Sequence, residues 1–299
     1  VSAVKCIVKE SAKAKKGVEI VPKEIKILNT VKFPLPLDPT GKVPAEIDTR
    51  LDARILDLRR PTTFAIFKIR HITLQSIREF FVKNGFIEVN TPKIIATATE
   101  GGTELFPVSY FERAAYLAQS PQLYKEELTA VFEKVFEIGP VFRAEEHRTT
   151  RHLAELIMID MEEAFTTAED AMKTLESLVI YVLQNVKEKC EVELKTLNRA
   201  LEIPKTPFPR YTYDEVLKVL EEENMPIPWG EDLPTPAVRK LGEKFKGPYF
   251  IVDWPTESKP FYIKPKDNNP KICEAFDLMW GWLELASGGT RIHNKELLI

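Results

Sequence analysis

A chain of 299 residues with 44% hydrophobic and 29% charged side chains has the balance of an ordinary globular protein and ample material for a core. Its net charge of −3 does not mark a nucleic-acid binder, so any such surface has to be a local patch. No apolar run approaches a membrane span and no signal peptide is visible; the three scattered cysteines, Cys6, Cys190 and Cys273, lack zinc spacing and point to a reducing, cytoplasmic setting.

Residues 1–30 alternate apolar and polar twice around a lysine-rich turn at 13–17, which predicts a hairpin like the last one of a small β-barrel. The proline-dense stretch 33–44 reads as an extended linker. Over 48–60, Arg50, Arg54, Arg59 and Arg60 stand among Leu51, Ile55, Leu56 and Leu58, a helical stretch whose arginines are either solvated or a partner surface. Phe64, Phe67, Ile69, Ile72, Ile77, Phe80 and Phe81 follow a helical spacing over 62–84, and Asn84-Gly85 supplies the stop. A short strand over 86–89 runs into Pro92; a proline donates no ladder hydrogen bond, so this strand lies at an edge or interface. After a turn at 99–102 come a brief strand at 116–118 and a helix over 122–133, with Ser120 as N-cap and Pro121 as first helical residue. That start sets Gln122 and Lys125 on one face. A second long helix spans 167–189, opened by the capping pair Thr167 and Asp170 and carrying the apolar stripe Ala171, Leu175, Leu178, Val182 and Val186. Residues 200–248 are proline-rich with one further helix over 213–223, and strands return at 249–252 and 261–263.

Two stretches concentrate charge. The runs 135–141 and 156–159 are rich in β-branched residues and read as strands; around their connection stand Arg143, His147, Arg148, Arg151 and His152, with carboxylates at Glu145, Glu146, Asp160 and Glu162. A guanidinium offers a planar fork of donors that suits phosphate oxygens, so this is either a solvated hairpin tip or a phosphate site. Period 2 places Asp160 and Glu162 on one face, and charges on a strand of an apolar sheet need partners or ligands. Residues 273–287 read as another hairpin with Trp280-Gly281 as its two-residue loop, a register that sets Asp277 directly opposite Glu284. Opposed carboxylates repel; a divalent cation whose shell is completed by substrate phosphates, a salt bridge to Arg291 or a shared proton would neutralise them. Beyond them Gly288 and Gly289 allow close backbone approach, and Arg291 and His293 share a face if the segment is extended.

In order along the chain, 85–92, 119–125, 142–162 and 284–293 resemble the motifs of class II aminoacyl-tRNA synthetases, and the chain from about residue 5 onward is similar to the aspartyl-tRNA synthetase family of archaeal and eukaryotic type. The resemblance implies an α+β fold, an antiparallel sheet flanked by helices with the remnant of an N-terminal OB-type β-barrel. It divides the chain into the end of an anticodon-binding barrel at 1–30, a linker or hinge at 31–60, and a catalytic domain at 61–299 with an inserted helical subdomain at about 167–248. The implied reaction is activation of aspartate with ATP and Mg²⁺ followed by transfer to the 3′ end of tRNA(Asp), with tRNA(Asn) left open, by a homodimer with no membrane association.

The resemblance also assigns roles. Arg143 would bind the α-phosphate and act as the catalytic charge, Glu145 would contact the adenine amino group, and His147, Arg148, Arg151 and His152 would form the loop that holds the γ-phosphate. Asp277 and Glu284, with Ser287, would carry the metal, Glu284 also touching ATP. Lys125 and Arg291 would clamp the side-chain carboxylate of aspartate, Gln122, Asp160 and Ser120 would serve its ammonium end, and Glu100 and Ser287 would complete the pocket. A lysine beside a neutral amide would be left unpaired, which favours aspartate over asparagine. An asparagine-specific relative, and a non-catalytic or engineered fragment or paralogue that keeps the fold, stand as alternatives. Two departures from the family pattern accompany the match. Residues 155–160 carry no aromatic ring to stack on adenine, and a third, glycine-rich motif ending in arginine is expected beyond Ile299, in line with a fragment that opens on Val1 inside a strand-like run.

Overall fold

The structure, a computed structural model, describes residues 1–14, 16–31, 34–97, 105–144 and 153–298. It divides into two units, one of Val1–Lys68 with Lys195–Asn198, the other of Ile69–Leu194 with Arg199–Ile299.

In the first unit the N-terminal alternation becomes an antiparallel hairpin of β1 (Ser2–Glu10) and β2 (Val18–Ile27), with a bulge between Lys5 and Cys6. Two short helices follow, α1 (Ile47–Asp52) and α2 (Arg54–Asp57). Here the arginine-rich stretch turns partly inward. Asp57 is fully buried; Arg50 Nε donates to its Oδ1 at 2.7 Å and Arg54 Nη1 to its Oδ2 at 2.5 Å. Arg60 donates to the carbonyls of Asp38 (3.0 Å) and Val43 (2.6 Å), so a guanidinium holds the proline-rich stretch that precedes it. The Arg50 hydrogen bond outweighs burial and keeps the Asp57 carboxyl below the usual carboxylate range. A depressed folded value means that the contribution to stability is complete above the unfolded value near about 4 and is lost as pH falls through the folded one. Asp57→Asn is expected to cost about 2 kcal/mol at neutral pH, a gap that urea melts should show closing on acidification.

The second unit starts within α3 (Pro61–Lys83), whose Ile77, Phe80 and Phe81 pack on Phe86, Phe136 and Leu178. The rings of Phe81 and Phe136 stack at 4.8 Å between centroids. Gly85, at φ +81°, ends the helix as expected. Then β3 (Ile87–Glu88) forms the edge of a three-stranded sheet in the order β3-β7-β8, in keeping with the proline at 92. β4 (Ile94–Ile95), β5 (Pro107–Tyr110) and β6 (Arg113–Leu117) make a small separate sheet, followed by α4 (Gln122–Phe132). β7 (Lys134–Phe142) and β8 (Glu155–Glu163) pair antiparallel without interruption from Lys134↔Glu163 to Phe142↔Glu155.

Helix α5 (Ala168–Lys189) opens on the Thr167/Asp170 capping box that the sequence predicts, and α6 (Glu191–Thr196) follows it. Next come β9 (Arg210–Thr212), α7 (Tyr213–Glu222) and α8 (Thr235–Lys244); α8 is a helix beyond the single one expected in 200–248. β10 (Pro248–Val252), the short pair β11 (Pro265–Lys266) and β12 (Asn269–Cys273), then β13 (Ala275–Trp280) and β14 (Leu283–Gly289) complete the sheets, and α9 (Lys295–Leu298) follows. The larger sheet runs β14-β13-β10-β9, antiparallel except for β9 beside β10. Period 2 sorts its residues. Phe250, Phe276 and Leu278 pack under α5 with Met172, whereas Tyr249, Ile251, Ala275 and Met279 join the core formed by α7 and α8. Asp277 lies on that second face.

The strand expected at 261–263 is not formed: two prolines, Pro255 and Pro260, break the segment, and Ile263 makes only an isolated bridge to Arg291. Among the described residues no helix is long and apolar enough to cross a membrane.

Candidate active site

The charged residues singled out in the sequence converge from α4, β8, β13, β14 and the segment at 291. Ser120, Gln122, Lys125, Arg143 and Asp160 line one cavity of about 290 Å³ together with Asp277, Glu284, Ser287 and Arg291. Glu100, Glu145, His147, Arg148, Arg151 and His152 lie outside the described residues.

On one wall, Lys125 Nζ donates to Asp160 Oδ1 at 2.9 Å and stands 3.4 Å from Glu162 Oε2. Arg291 grips Glu162 with both arms of its fork, Nε to Oε1 at 2.9 Å and Nη2 to Oε2 at 3.2 Å, and packs 5.2 Å over the Tyr262 ring. Gln122 joins the two halves: its Oε1 accepts from Arg291 at 3.2 Å and its Nε2 donates to Glu126 at 2.6 Å. Burial alone would raise the Glu162 carboxyl, but Lys125 and Arg291 prevail and hold it below the usual range. The helix start behind this wall differs slightly from expectation. Pro121 is the boundary residue rather than the first helical one, and Ser120 Oγ accepts the Gln122 N–H at 3.3 Å. Behind Asp160 across the ladder stands buried Glu137, held by Thr91 and by Lys93 at 2.8 Å, so each carboxylate of that cross-strand pair has its own cation.

The opposite wall carries a register that the sequence did not show. Gly281, at φ +57°, takes the first loop position, so the loop is Gly281-Trp282 and not Trp280-Gly281. With the bulge between Leu278 and Met279, Asp277 pairs with Ser287 and Met279 with Glu284. The expected direct opposition of Asp277 and Glu284 is therefore replaced by a diagonal one. In a regular strand Glu284 and Ser287, an odd number of residues apart, would point to opposite faces; the bulge lets both line the cavity with Asp277.

What meets Asp277 is Lys259, a residue the sequence reading assigned no part. Its Nζ donates to Oδ2 at 2.8 Å and Oδ1 at 3.1 Å while lying 3.8 Å over the Trp254 ring. Burial pushes the Asp277 carboxyl up to about 7, with Lys259 opposing and Glu284 adding to the rise. Asp277, Glu284 and Ser287 offer only oxygen donors. Among the described residues no group of three or more histidine, cysteine or acidic side chains gathers for a metal. Such a sparse, hard donor set fits Mg²⁺, which keeps waters or phosphate oxygens in most of its shell.

Arg143, just beyond β7, is fixed through its backbone N–H to the Ala154 carbonyl at 3.0 Å. Its Nε is buried and has no hydrogen-bond partner among the described residues, a donor disposed for an anionic ligand. From 155–160, where no aromatic ring stands, Met158 supplies an apolar lining. Glycines set the far end: a Cβ on Gly289 would lie 2.6 Å from the Glu274 carbonyl oxygen, which is backbone and cannot yield. Gly289→Ala is expected to spread β13 from β14 and cost about 1–3 kcal/mol, measurable by thermal melting.

Sequence reasoning missed Glu126, Lys259 and Tyr262 and gave Glu162 no role, although period 2 had already set Glu162 beside Asp160. For Lys259 there was no signal, because it leaves a single 3₁₀ turn (Thr256–Ser258) between prolines.

Residues 46–299 match the model of the tRNA synthetases class II (D, K and N). Over its whole length the chain is 59% identical to the aspartate–tRNA(Asp/Asn) ligase of Archaeoglobus fulgidus, covering 70% of that protein. It is 54% identical to the aspartate–tRNA(Asp) ligase of Pyrococcus furiosus, again over all of this chain and 70% of the relative. Among solved structures it is similar to the asparaginyl-tRNA synthetase of Pyrococcus horikoshii complexed with asparaginyl-adenylate, with a TM-score of 0.93, 35% identity, and coverage of 99% of this chain and 69% of that one. With a family match over most of its length and relatives above half identity throughout, the chain belongs to the class II tRNA synthetases of the D, K and N group.

Proposed function

We propose that this chain is the catalytic part of an aspartate–tRNA ligase, which activates aspartate with ATP to aspartyl-adenylate and pyrophosphate and transfers the aspartyl group to the 3′ end of tRNA(Asp). The observation that carries the reading is the pair of cations, Lys125 and Arg291, converging on the cavity that Arg143 also lines, its Nε without a hydrogen-bond partner among the described residues. The substrates are aspartate, ATP and tRNA; some relatives are named for both tRNA(Asp) and tRNA(Asn) and others for tRNA(Asp) alone, so tRNA(Asn) is a second acceptor to be tested.

In the first step an oxygen of the α-carboxylate attacks the α-phosphorus, and the bond to the β-phosphate oxygen breaks as pyrophosphate leaves. Arg143 stabilises the charge that accumulates on the α-phosphate, acting by position and field rather than by proton transfer. Lys125 and Arg291 hold the side-chain carboxylate, which keeps it from competing as nucleophile, and Gln122, Ser120 and Asp160 orient the ammonium end. Asp277, Glu284 and Ser287 would hold Mg²⁺, whose charge when bound is shared with the phosphate oxygens. In the second step a hydroxyl of the terminal ribose attacks the acyl carbon and AMP departs. Glu100, Glu145, His147, Arg151 and His152 are assigned to the same site by the family resemblance.

A second reading, asparagine specificity, has the likeness to the Pyrococcus horikoshii structure behind it. Against it, two cations on the cavity wall suit a substrate carboxylate, and a neutral amide would draw on neither charge. Incubation with ATP, Mg²⁺ and labelled amino acids tests the proposal: label from aspartate should pass to tRNA(Asp), and to tRNA(Asn) if that is an acceptor. Label passing from asparagine and not from aspartate would overturn it. A homodimer through 85–92 is supported by the exposed Val82 and Ile87 beside an edge strand; light scattering should give twice the chain mass. The buried Cys273 is a thiol that donates to the Trp254 carbonyl at 3.4 Å, in keeping with a reducing, cytoplasmic setting.

A further inference from the structure

The cluster around Lys125 and Arg291 carries one carboxylate more than its cations require. Asp160 meets Lys125, and Glu162 meets Arg291 through a two-armed bond, which already sets two negative charges against two positive ones. Glu126 is the surplus. It stands on α4 one turn beyond Gln122, its side chain 25% exposed, with Oε1 accepting from Gln122 Nε2 at 2.6 Å and lying 3.6 Å from Arg291 Nε. The charged groups that act on it are Lys125 from its own helix, Glu162 from β8, and Arg291 with Tyr262 behind it, while Asp160 stands on the far side of the cluster as the partner of Lys125.

We propose that Glu126 is a specificity-determining residue that sets how firmly the pocket holds an acidic side chain: as a carboxylate it competes for Arg291 and repels the substrate's own carboxylate, and as the neutral acid it does neither. The inference rests on the reading of Lys125 and Arg291 as the aspartate clamp. Geometry gives it two routes to the substrate. One is direct, through the field at Arg291. The other runs through Gln122, whose amide is oriented by Arg291 on its oxygen and by Glu126 on its nitrogen. Burial, with Glu162 adding to it, pushes the Glu126 carboxyl above the usual range, so it takes up a proton at higher pH than a surface carboxylate would. Aspartate should therefore bind more tightly over the pH range in which Glu126 takes up its proton while the substrate's own carboxylate, with a free value near about 4, stays charged.

The test is aspartate-dependent exchange of pyrophosphate into ATP at saturating ATP–Mg²⁺, with the KM for aspartate followed across that pH range. Glu126→Gln keeps an acceptor for Gln122 and removes the charge. It is expected to lower the KM for aspartate about three- to tenfold at neutral pH, with the change in KM rather than kcat, and to flatten the pH profile seen in the wild type. A KM that rises or stays unchanged in Glu126→Gln, or a wild-type KM that does not fall on acidification, overturns the inference. Arg291→Leu separates the two levels. If it abolishes aspartate use while Glu126→Gln changes nothing, the clamp stands and the role of Glu126 fails; if the wild type shows no aspartate-dependent exchange, the clamp itself fails and this inference with it.

Discussion

Replacing Arg143 with alanine is expected to slow adenylate formation about 10²- to 10³-fold while leaving the melting temperature almost unchanged. The two halves of that expectation come from one observation. The buried Nε has no hydrogen-bond partner among the described residues, and Arg143 is held through its backbone, so removing the side chain leaves no protein acceptor stranded at that nitrogen. A structural arginine would show the reverse pattern, a loss of stability with a proportionate loss of active protein. Lysine at the same position should not restore the rate, since a single ammonium cannot reproduce a planar fork against phosphate oxygens. Single-turnover exchange and thermal melting on the same preparations check both halves.

Removal of either clamp cation should be as damaging, by a different route. Lys125→Leu leaves Asp160 without its hydrogen-bonded ammonium and deprives the substrate's carboxylate of a counter-charge. Arg291→Leu strips Glu162 of both guanidinium bonds in a largely buried place. Truncating one partner of a buried, hydrogen-bonded charge pair costs about 2–5 kcal/mol, so kcat/KM for aspartate is expected to fall by about two to three powers of ten. Stability should fall as well for Arg291→Leu, because Glu162 keeps only longer contacts, Lys125 Nζ and Gln122 Nε2, each at 3.4 Å from its Oε2. The specificity outcome separates the two functional readings. An asparagine enzyme would lose little asparagine use in Lys125→Leu, whereas an aspartate enzyme loses aspartate use and gains no comparable activity with the amide.

Much of this site was legible before any coordinates, and the reasons are physical. Period 2 in β8 placed Asp160 and Glu162 on one face, and helical spacing in α4 placed Gln122 beside Lys125; regular backbone turns sequence spacing into geometry. The capping box at Thr167 and the stop at Gly85 were visible because caps depend on local residue chemistry. The chain failed to show what irregular backbone decides. The loop lies one residue later than the spacing suggested, which shifts the pairing by two, and a bulge adds one more, so the partner of Asp277 is Ser287 instead of Glu284, with all three still on the cavity. Lys259 lies between prolines in a segment with no period, so nothing in its neighbours pointed to Asp277. The arginines of 50–60 show the same limit, since a solvated face and a buried carboxylate pin read alike until Asp57 is seen to be enclosed.

The pairing of Lys259 with Asp277 also bears on metal affinity. A cation entering at Asp277, Glu284 and Ser287 has to share Asp277 with an ammonium 2.8 Å away, so Lys259→Met should tighten Mg²⁺ dependence of ATP binding and leave aspartate binding in the absence of nucleotide unchanged. Titration of Mg²⁺ against a fluorescent ATP analogue reads that shift without turnover.

The decisive experiment is exchange of labelled pyrophosphate into ATP by the purified protein, run side by side with aspartate and with asparagine. Exchange that requires aspartate, is not supported by asparagine and collapses in Arg143→Ala is the predicted result. Exchange supported by asparagine, or none with either amino acid while ATP–Mg²⁺ still binds, would contradict the assignment of Lys125, Arg291 and Arg143 to an aspartate-activating site.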